Sequence, residues 1–187
     1  MRIVAGTFRG RPLVAPKGQS TRPTADRTRQ ALFDVLAHAP WAPPLAGARV
    51  LDLFAGSGAL GFEALSRGAA LVRFVESSEA ARAAILANAD ALGVADQVSI
   101  DRRDALALGP AAPGEPGFDL AFLDPPYGRG LGEPALERLA AGGWLAPAAL
   151  AVLERGADDP APAPAGFREL DARTWGAARV SFLAPGA

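Results

Sequence analysis

Residues 51–61 read LDLFAGSGALG, and the reading of this stretch decides the fold. After Arg49, ARVLDLF (48–54) is an apolar run broken only by Asp52, which suits a strand buried on both faces. Gly56, Gly58 and Gly61 then follow the spacing G-x-G-x-x-G. Glycines so placed let a strand turn sharply into a helix, here ALGFEALSRG. Working outward, the same rhythm repeats. ALVRFVE, QVSIDRRD, FDLAFL and ALAVLER are further strands, separated by SSEAARAAILANADALG, by the loop 109–117 and by GEPALERLAAGG. The tail FRELDARTWGAARVSFLA is expected to form an antiparallel pair. Strands that alternate with helices predict an α/β domain with a mostly parallel, doubly wound sheet from right-handed crossovers. Ahead of it, RIVAG and RPLVAP predict a hairpin, and TADRTRQALFDVLAH a helix with Thr24 as its N-cap. The proline-rich WAPPLAG (41–47) separates this extension (1–40) from the main domain (48–187).

The chain has 187 residues, half of them hydrophobic, enough for one domain with a real core. It has no cysteine and a single histidine, His38, which excludes thiolate chemistry and argues against a bound metal. No apolar run approaches the ~20 residues of a membrane span, and the opening MRIVAGTFRG lacks a signal-peptide core. A soluble, cytoplasmic, monomeric protein is expected. The net charge of −1 conceals a segregation: residues 1–30 carry seven basic groups against Asp26, so +6, leaving −7 on the rest. A basic head on an acidic body points to a polyanion held at one end. Its candidate nucleic-acid contacts are Arg9, Arg11, Arg22, Arg27 and Arg29.

The glycine pattern alone serves nicotinamide dinucleotides, S-adenosylmethionine or plain tight packing, and without G-K-[ST] it is no Walker loop. Asp52 favours a ligand that is cationic at its amino acid end, as S-adenosylmethionine is. Glu76, fifteen residues beyond Gly61, follows the second strand and can accept from both ribose hydroxyls. Asp104 can accept from an adenine amine beside the Ala105 N–H, or simply cap the short turn after it. Phe54 completes the candidate cofactor set with Asp52, Gly56, Gly58, Glu76, Asp104 and Ala105.

The fourth strand ends in LDPPYG (123–128). An exocyclic amine on a planar base is a poor nucleophile because its lone pair is delocalised into the ring. Fixed acceptors on its two N–H groups would localise that pair and aim it. Asp124 and the carbonyl of Pro125 are such acceptors, and Tyr127 offers a ring on which a flipped-out base can stack. Asp124, Pro125 and Tyr127 are therefore the candidate catalytic residues.

DLFAGSGALG, Glu76, Asp104 and DPPYG, in this order, resemble class I S-adenosylmethionine-dependent methyltransferases that act on amino nitrogens. With MRIVAGTFRGRPLVAPKG, TRPTADRTRQALFDVL and the ending TWGAARVSFL, nearly the whole chain is similar to the RsmD family, which methylates guanine N2 in bacterial 16S rRNA. The resemblance implies a Rossmann-like seven-stranded sheet with an N-terminal hairpin extension. It also implies S-adenosyl-L-methionine as cofactor and an assembling 30S subunit as substrate. ESS at 76–78 departs from the family's glutamate-any-aspartate pattern, and TWGAARVSF from its tyrosine-glycine pair. Two other readings remain open: a DNA adenine or cytosine amino-methyltransferase, and a nicotinamide-dependent oxidoreductase supported by the glycines alone.

Overall fold

The computed structural model describes residues 1–16 and 23–186. Seven strands form one sheet: β1 (Arg49–Leu53), β2 (Leu71–Val75), β3 (Val98–Asp101), β4 (Phe118–Leu123), β5 (Leu145–Gly156), β6 (Phe167–Trp175) and β7 (Ala178–Pro185), in the order β3-β2-β1-β4-β5-β7-β6. The first five are mutually parallel and β7 runs antiparallel to both β5 and β6. Strand order reverses between β1 and β4, and a crevice opens at the carboxyl ends of an open sheet at such a point.

Alternation along the strands divides the core. Val50, Phe74, Phe122, Val152 and Phe182 face one side, with α1 (Pro23–His38), α2 (Ala59–Ser66) and α3 (Glu79–Leu92) supplying Phe33, Phe62 and Ile85 to the same cluster. Leu51, Leu53, Leu123 and Leu153 face the other, against Leu136 and Leu139 of α4 (Gly132–Ala141) and Trp144. Each such fully buried side chain contributes roughly 1.5–3 kcal/mol of transfer free energy. α3 is capped as its sequence demands: Ser78 accepts from the Ala81 N–H, and Gly93 closes the helix at φ 72°. α1 begins at Pro23, a residue ahead of the expected Thr24 cap, which agrees with proline's fit to a first helical position. The Thr24 side chain lies outside the described residues.

The expected N-terminal hairpin is present in short form: Arg2 bridges Pro12, with Ile3 N–H on the Arg11 carbonyl at 3.0 Å, Gly10 N–H on the Ile3 carbonyl at 2.8 Å and Leu13 N–H on the Met1 carbonyl at 3.1 Å. The pairing stays short because α2 takes up the backbone N–H groups between these rungs. Glu63 accepts from the Val4 and Ala5 N–H groups at 2.8 and 3.1 Å. The Ser66 carbonyl accepts from Thr7 N–H at 2.7 Å, and the Ser66 hydroxyl accepts from Phe8 N–H at 2.9 Å. Gly6, at φ 79°, runs so close that a Cβ there would overlap the Ser66 carbonyl. Further along, Asn88 of α3 bonds both the N–H and the carbonyl of Val14 and also holds the Ser57 carbonyl. β5 starts at Leu145, four residues ahead of ALAVLER, because Leu145 pairs with Phe118 before the register shifts.

Candidate active site

At the carboxyl end of β1 the chain turns through Phe54, a non-glycine residue held at φ 57°, and then Gly56 and Gly58 at φ 55° and 77°. A left-handed phenylalanine stores roughly 1–3 kcal/mol of strain, and such strain gathers at functional turns. At Gly58 a Cβ would press on Phe62 and Phe74 at 2.8 and 2.9 Å, so only glycine lets α2 pack this tightly against β2. Asp52 lies within β1, buried, with one carboxylate oxygen accepting from the Gly61 N–H at 2.9 Å. Its first task is thus to fasten the start of α2 to the strand.

Glu76 follows β2 directly. One oxygen accepts from Gly56 N–H at 2.8 Å and the other from Ser78 N–H at 2.7 Å. The glycine turn and the start of α3 therefore fix this carboxylate from both sides. Asp104 caps the short turn Ala105–Ala107 by accepting from Leu106 N–H at 2.8 Å, so the capping role is realised, while its second oxygen has no partner among the described residues. Ala105 is buried beside it.

Asp124 follows β4, and Pro125 after it is buried. The Tyr127 ring is 46% exposed, and its hydroxyl donates a short hydrogen bond to Glu154, near the end of β5. Beside this pair lies a cavity of about 220 Å³, walled by Pro125, Tyr127, Glu154 and Asp159 over Leu153. Because β4 lies between β1 and β5, Asp124 stands between the glycine turn on one side and this cavity on the other. A second cavity, of about 210 Å³, opens between α3 and the β3 edge, lined in part by Arg82, whose guanidinium donates to the Glu76 carbonyl at 3.1 Å. Sequence reasoning missed Glu154, although it ends an apolar run (ALAVLE) as Asp124 does (DLAFLD).

The basic head divides. Arg9 and Arg27 are exposed. Arg11 is exposed too, with its guanidinium on the Ala91 carbonyl at the end of α3. Arg22 lies outside the described residues. Arg29 requires correction as a nucleic-acid contact. It is buried and committed to Asp26 at 2.8 Å, the Arg2 carbonyl at 2.6 Å and Glu63 at 3.7 Å. A guanidinium so enclosed serves the core and presents nothing to a phosphate.

The family model described as Conserved hypothetical protein 95 matches residues 1–184. Ribosomal RNA small subunit methyltransferase D of Haemophilus influenzae is 36% identical over 177 residues, 94% of this chain and 89% of that protein. The chain belongs to the RsmD family. The Escherichia coli protein of the same name is 40% identical over 154 residues, 82% of this chain and 74% of its own. The solved structure of yhhF from Escherichia coli superposes with a TM-score of 0.81 at 34% identity, covering 100% of this chain and 98% of that one. The fold is that of class I S-adenosylmethionine-dependent methyltransferases, and the oxidoreductase reading of the glycines falls with it.

RsmD membership and the fold imply S-adenosylmethionine as methyl donor, and the residues fit it. Each Glu76 oxygen has spent one lone pair on a backbone N–H, which leaves one apiece for a vicinal diol. Burial raises the Asp52 pKa well above the ordinary carboxylate range, and the Asp124 and Glu76 charges add to this. Uncompensated carboxylates at one rim are the complement of a ligand bearing sulfonium and ammonium charges. The family's usual second acid after Glu76 is absent, and Ser78 keeps the capping function.

Asp124 is open to water, yet the crowded walls of the cleft, and then the Glu154 charge, push its carboxyl up to about 8. A raised folded-state pKa means that folding takes up a proton. The stability this gives is present below the ordinary carboxylate value and drains away as pH rises toward 8. Asp124→Asn, which cannot ionise, is expected to melt at a higher temperature than wild type at pH 8, with the gap closing by pH 4. Thermal melts across that range check it. An equal gap at both ends would refute the raised pKa.

Proposed function

We propose that this protein methylates the exocyclic N2 of a guanine in small-subunit rRNA, within an assembling 30S particle. The observation that carries the reading is the position of Asp124, between the fixed glycine turn and the cavity beside Tyr127. In-line transfer needs the amine nitrogen, the methyl carbon and the sulfur on one line, and a carboxylate where the two binding sites meet can hold the amine at that junction. When bound, S-adenosylmethionine supplies an electrophilic methyl on sulfur. Glu76 would hold its ribose, Asp104 and Ala105 its adenine, and the turn from Phe54 to Gly58 its amino acid portion. Asp124 and the Pro125 carbonyl accept the two N–H groups of the target amine and direct its lone pair at the methyl. Asp124 or water takes the released proton after the new bond has formed. The Tyr127 ring stacks on the base once it leaves its helix. The named relatives are small-subunit rRNA methyltransferases, which supports rRNA as the substrate class. No helix among the described residues is long and apolar enough to cross a membrane.

The deciding experiment is transfer of labelled methyl to 30S particles and to naked 16S rRNA, followed by nucleoside analysis. N2-methylguanosine is the expected product, and label appearing only in another nucleoside would refute the reading. The exposed Arg9 and Arg27 are assigned to rRNA phosphates. Arg9→Ala with Arg27→Ala should weaken RNA binding and reduce the slope of log K against log salt by about 1.4–1.8. Calorimetric affinity for S-adenosylhomocysteine should stay unchanged. An intact salt slope would remove these two residues from the interface.

A further inference from the structure

Leu123 of β4 pairs in parallel register with Leu153 of β5. The next residues, Asp124 and Glu154, therefore stand side by side, Asp124 just past β4 and Glu154 still within β5, about 4.8 Å apart in backbone spacing. One Glu154 oxygen accepts the Tyr127 hydroxyl, and the other has no partner among the described residues. Both Tyr127 and Glu154 wall the 220 Å³ cavity. Other parts of the wall are tied by hydrogen bonds. Buried Arg155 holds the Asp159 and Pro160 carbonyls, and Asp159 accepts from the Gly156 N–H at 2.9 Å. The acceptor count is then three: Asp124, the Pro125 carbonyl, and a free Glu154 oxygen that the proposed mechanism leaves unused.

We infer that Glu154 selects the target base by accepting the N1–H of guanine, while Asp124 and the Pro125 carbonyl take the two N2–H groups. The inference rests on the guanine-N2 reading given above and extends it from the reacting amine to the choice of base. The chemistry behind it is the pattern along the Watson–Crick edge. Guanine presents the donor N1–H next to its amine. Adenine presents the acceptor N1 beside N6, and cytosine the acceptor N3 beside N4. All three bases carry an exocyclic amine, so Asp124 and Pro125 alone would accept any of them. A second carboxylate next to the first turns the neighbouring ring nitrogen into the criterion. A donor is held there, whereas a lone pair would face a lone pair in a confined site. The Tyr127 hydroxyl keeps the Glu154 carboxylate aimed before the base arrives, so little ordering remains to be done on binding.

A merely structural alternative is that Glu154 only anchors the Tyr127 hydroxyl, and a double-mutant cycle separates the two. Methyl transfer to small subunits prepared from cells lacking this enzyme is measured for wild type, Glu154→Gln, Tyr127→Phe and the double variant, with N2-methylguanosine as the readout. Glu154→Gln replaces an acceptor by an amide that can turn its N–H toward N1–H. It is expected to lower kcat/KM by about tenfold to a hundredfold, the range of one good base-edge contact. The same factor should persist in the Tyr127→Phe background, where no hydroxyl remains to anchor. Glu154→Asp, which keeps the carboxylate, should recover part of the loss, and affinity for S-adenosylhomocysteine should be unaffected throughout. Loss of the Glu154→Gln effect in the Tyr127→Phe background would overturn the inference. So would kcat/KM within about threefold of wild type, or an equal fall in cofactor affinity. Wild-type protein that forms no N2-methylguanosine would instead overturn the functional reading itself, and base selection by Glu154 with it.

Discussion

Asp124→Ala is expected to lower kcat for methyl transfer by about a hundredfold to a thousandfold, with S-adenosylhomocysteine still bound. The size follows from where the carboxylate acts. A ground-state guanine amine is nearly planar and uncharged, and gains little from a strong acceptor. As the bond to methyl forms, the nitrogen becomes tetrahedral and cationic, and its N–H groups become much stronger donors. A fixed acceptor beside it, anionic above its raised pKa of about 8, is thus worth more in the transition state than in the bound substrate, which is the condition for a kcat effect. Asp124 meets that condition because Pro125 fixes the backbone that follows and is itself buried. Alanine removes the acceptor and also relieves the like-charge crowding felt by Asp52. The variant should therefore fold at least as well as wild type, and lost turnover cannot be blamed on unfolding. Single-turnover kinetics on 30S particles, with calorimetry for the cofactor product, measure both quantities. Turnover within about threefold of wild type would refute the assignment, and a matching loss of cofactor affinity would move Asp124 from the chemistry to the cofactor site.

Much of this architecture is legible in the chain because buried strands and their turns are local facts. ARVLDLF, ALVRFVE and FDLAFL each announce a strand, and Asp52, Glu76, Asp104 and Asp124 mark one rim of the sheet. What escapes is decided by tertiary neighbours. Arg29 and Arg27 are two residues apart in one helix, and only packing shows that Arg29 points into the protein while Arg27 meets water. The extension pairs as the short hairpin its sequence suggests, but nothing local reveals that α2 also takes up its backbone N–H groups. Glu154 has the same strand-then-acid pattern as Asp124. It is masked because β5 runs on through Arg155 to Gly156 to pair with β7. The glutamate in ALGFEALS is the clearest missed signal, since a lone acid in an otherwise apolar eight-residue helix must be paired if that helix is buried.

Glu63→Ala is accordingly expected to cost about 3–5 kcal/mol of folding stability, measured by urea denaturation. The carboxylate is wholly buried. It accepts from two backbone N–H groups, pairs with Arg67 at 2.8 Å and lies 3.7 Å from Arg29. Its removal would leave Arg67 without its anion, Arg29 with Asp26 alone, and two amides without an acceptor. Glu63→Gln keeps one acceptor oxygen and should cost less, which separates loss of charge from loss of hydrogen bonds. A loss below about 1 kcal/mol for Glu63→Ala would mean that water replaces the carboxylate. The consequence reaches function through α2 itself. The same eight-residue helix is fastened to β1 by the Asp52 bond to Gly61 and carries the arginine-bearing extension on Glu63 and Ser66. Loosening that grip in Glu63→Gln should therefore weaken RNA binding more than cofactor binding, because β1 still holds the glycine turn when the extension comes free.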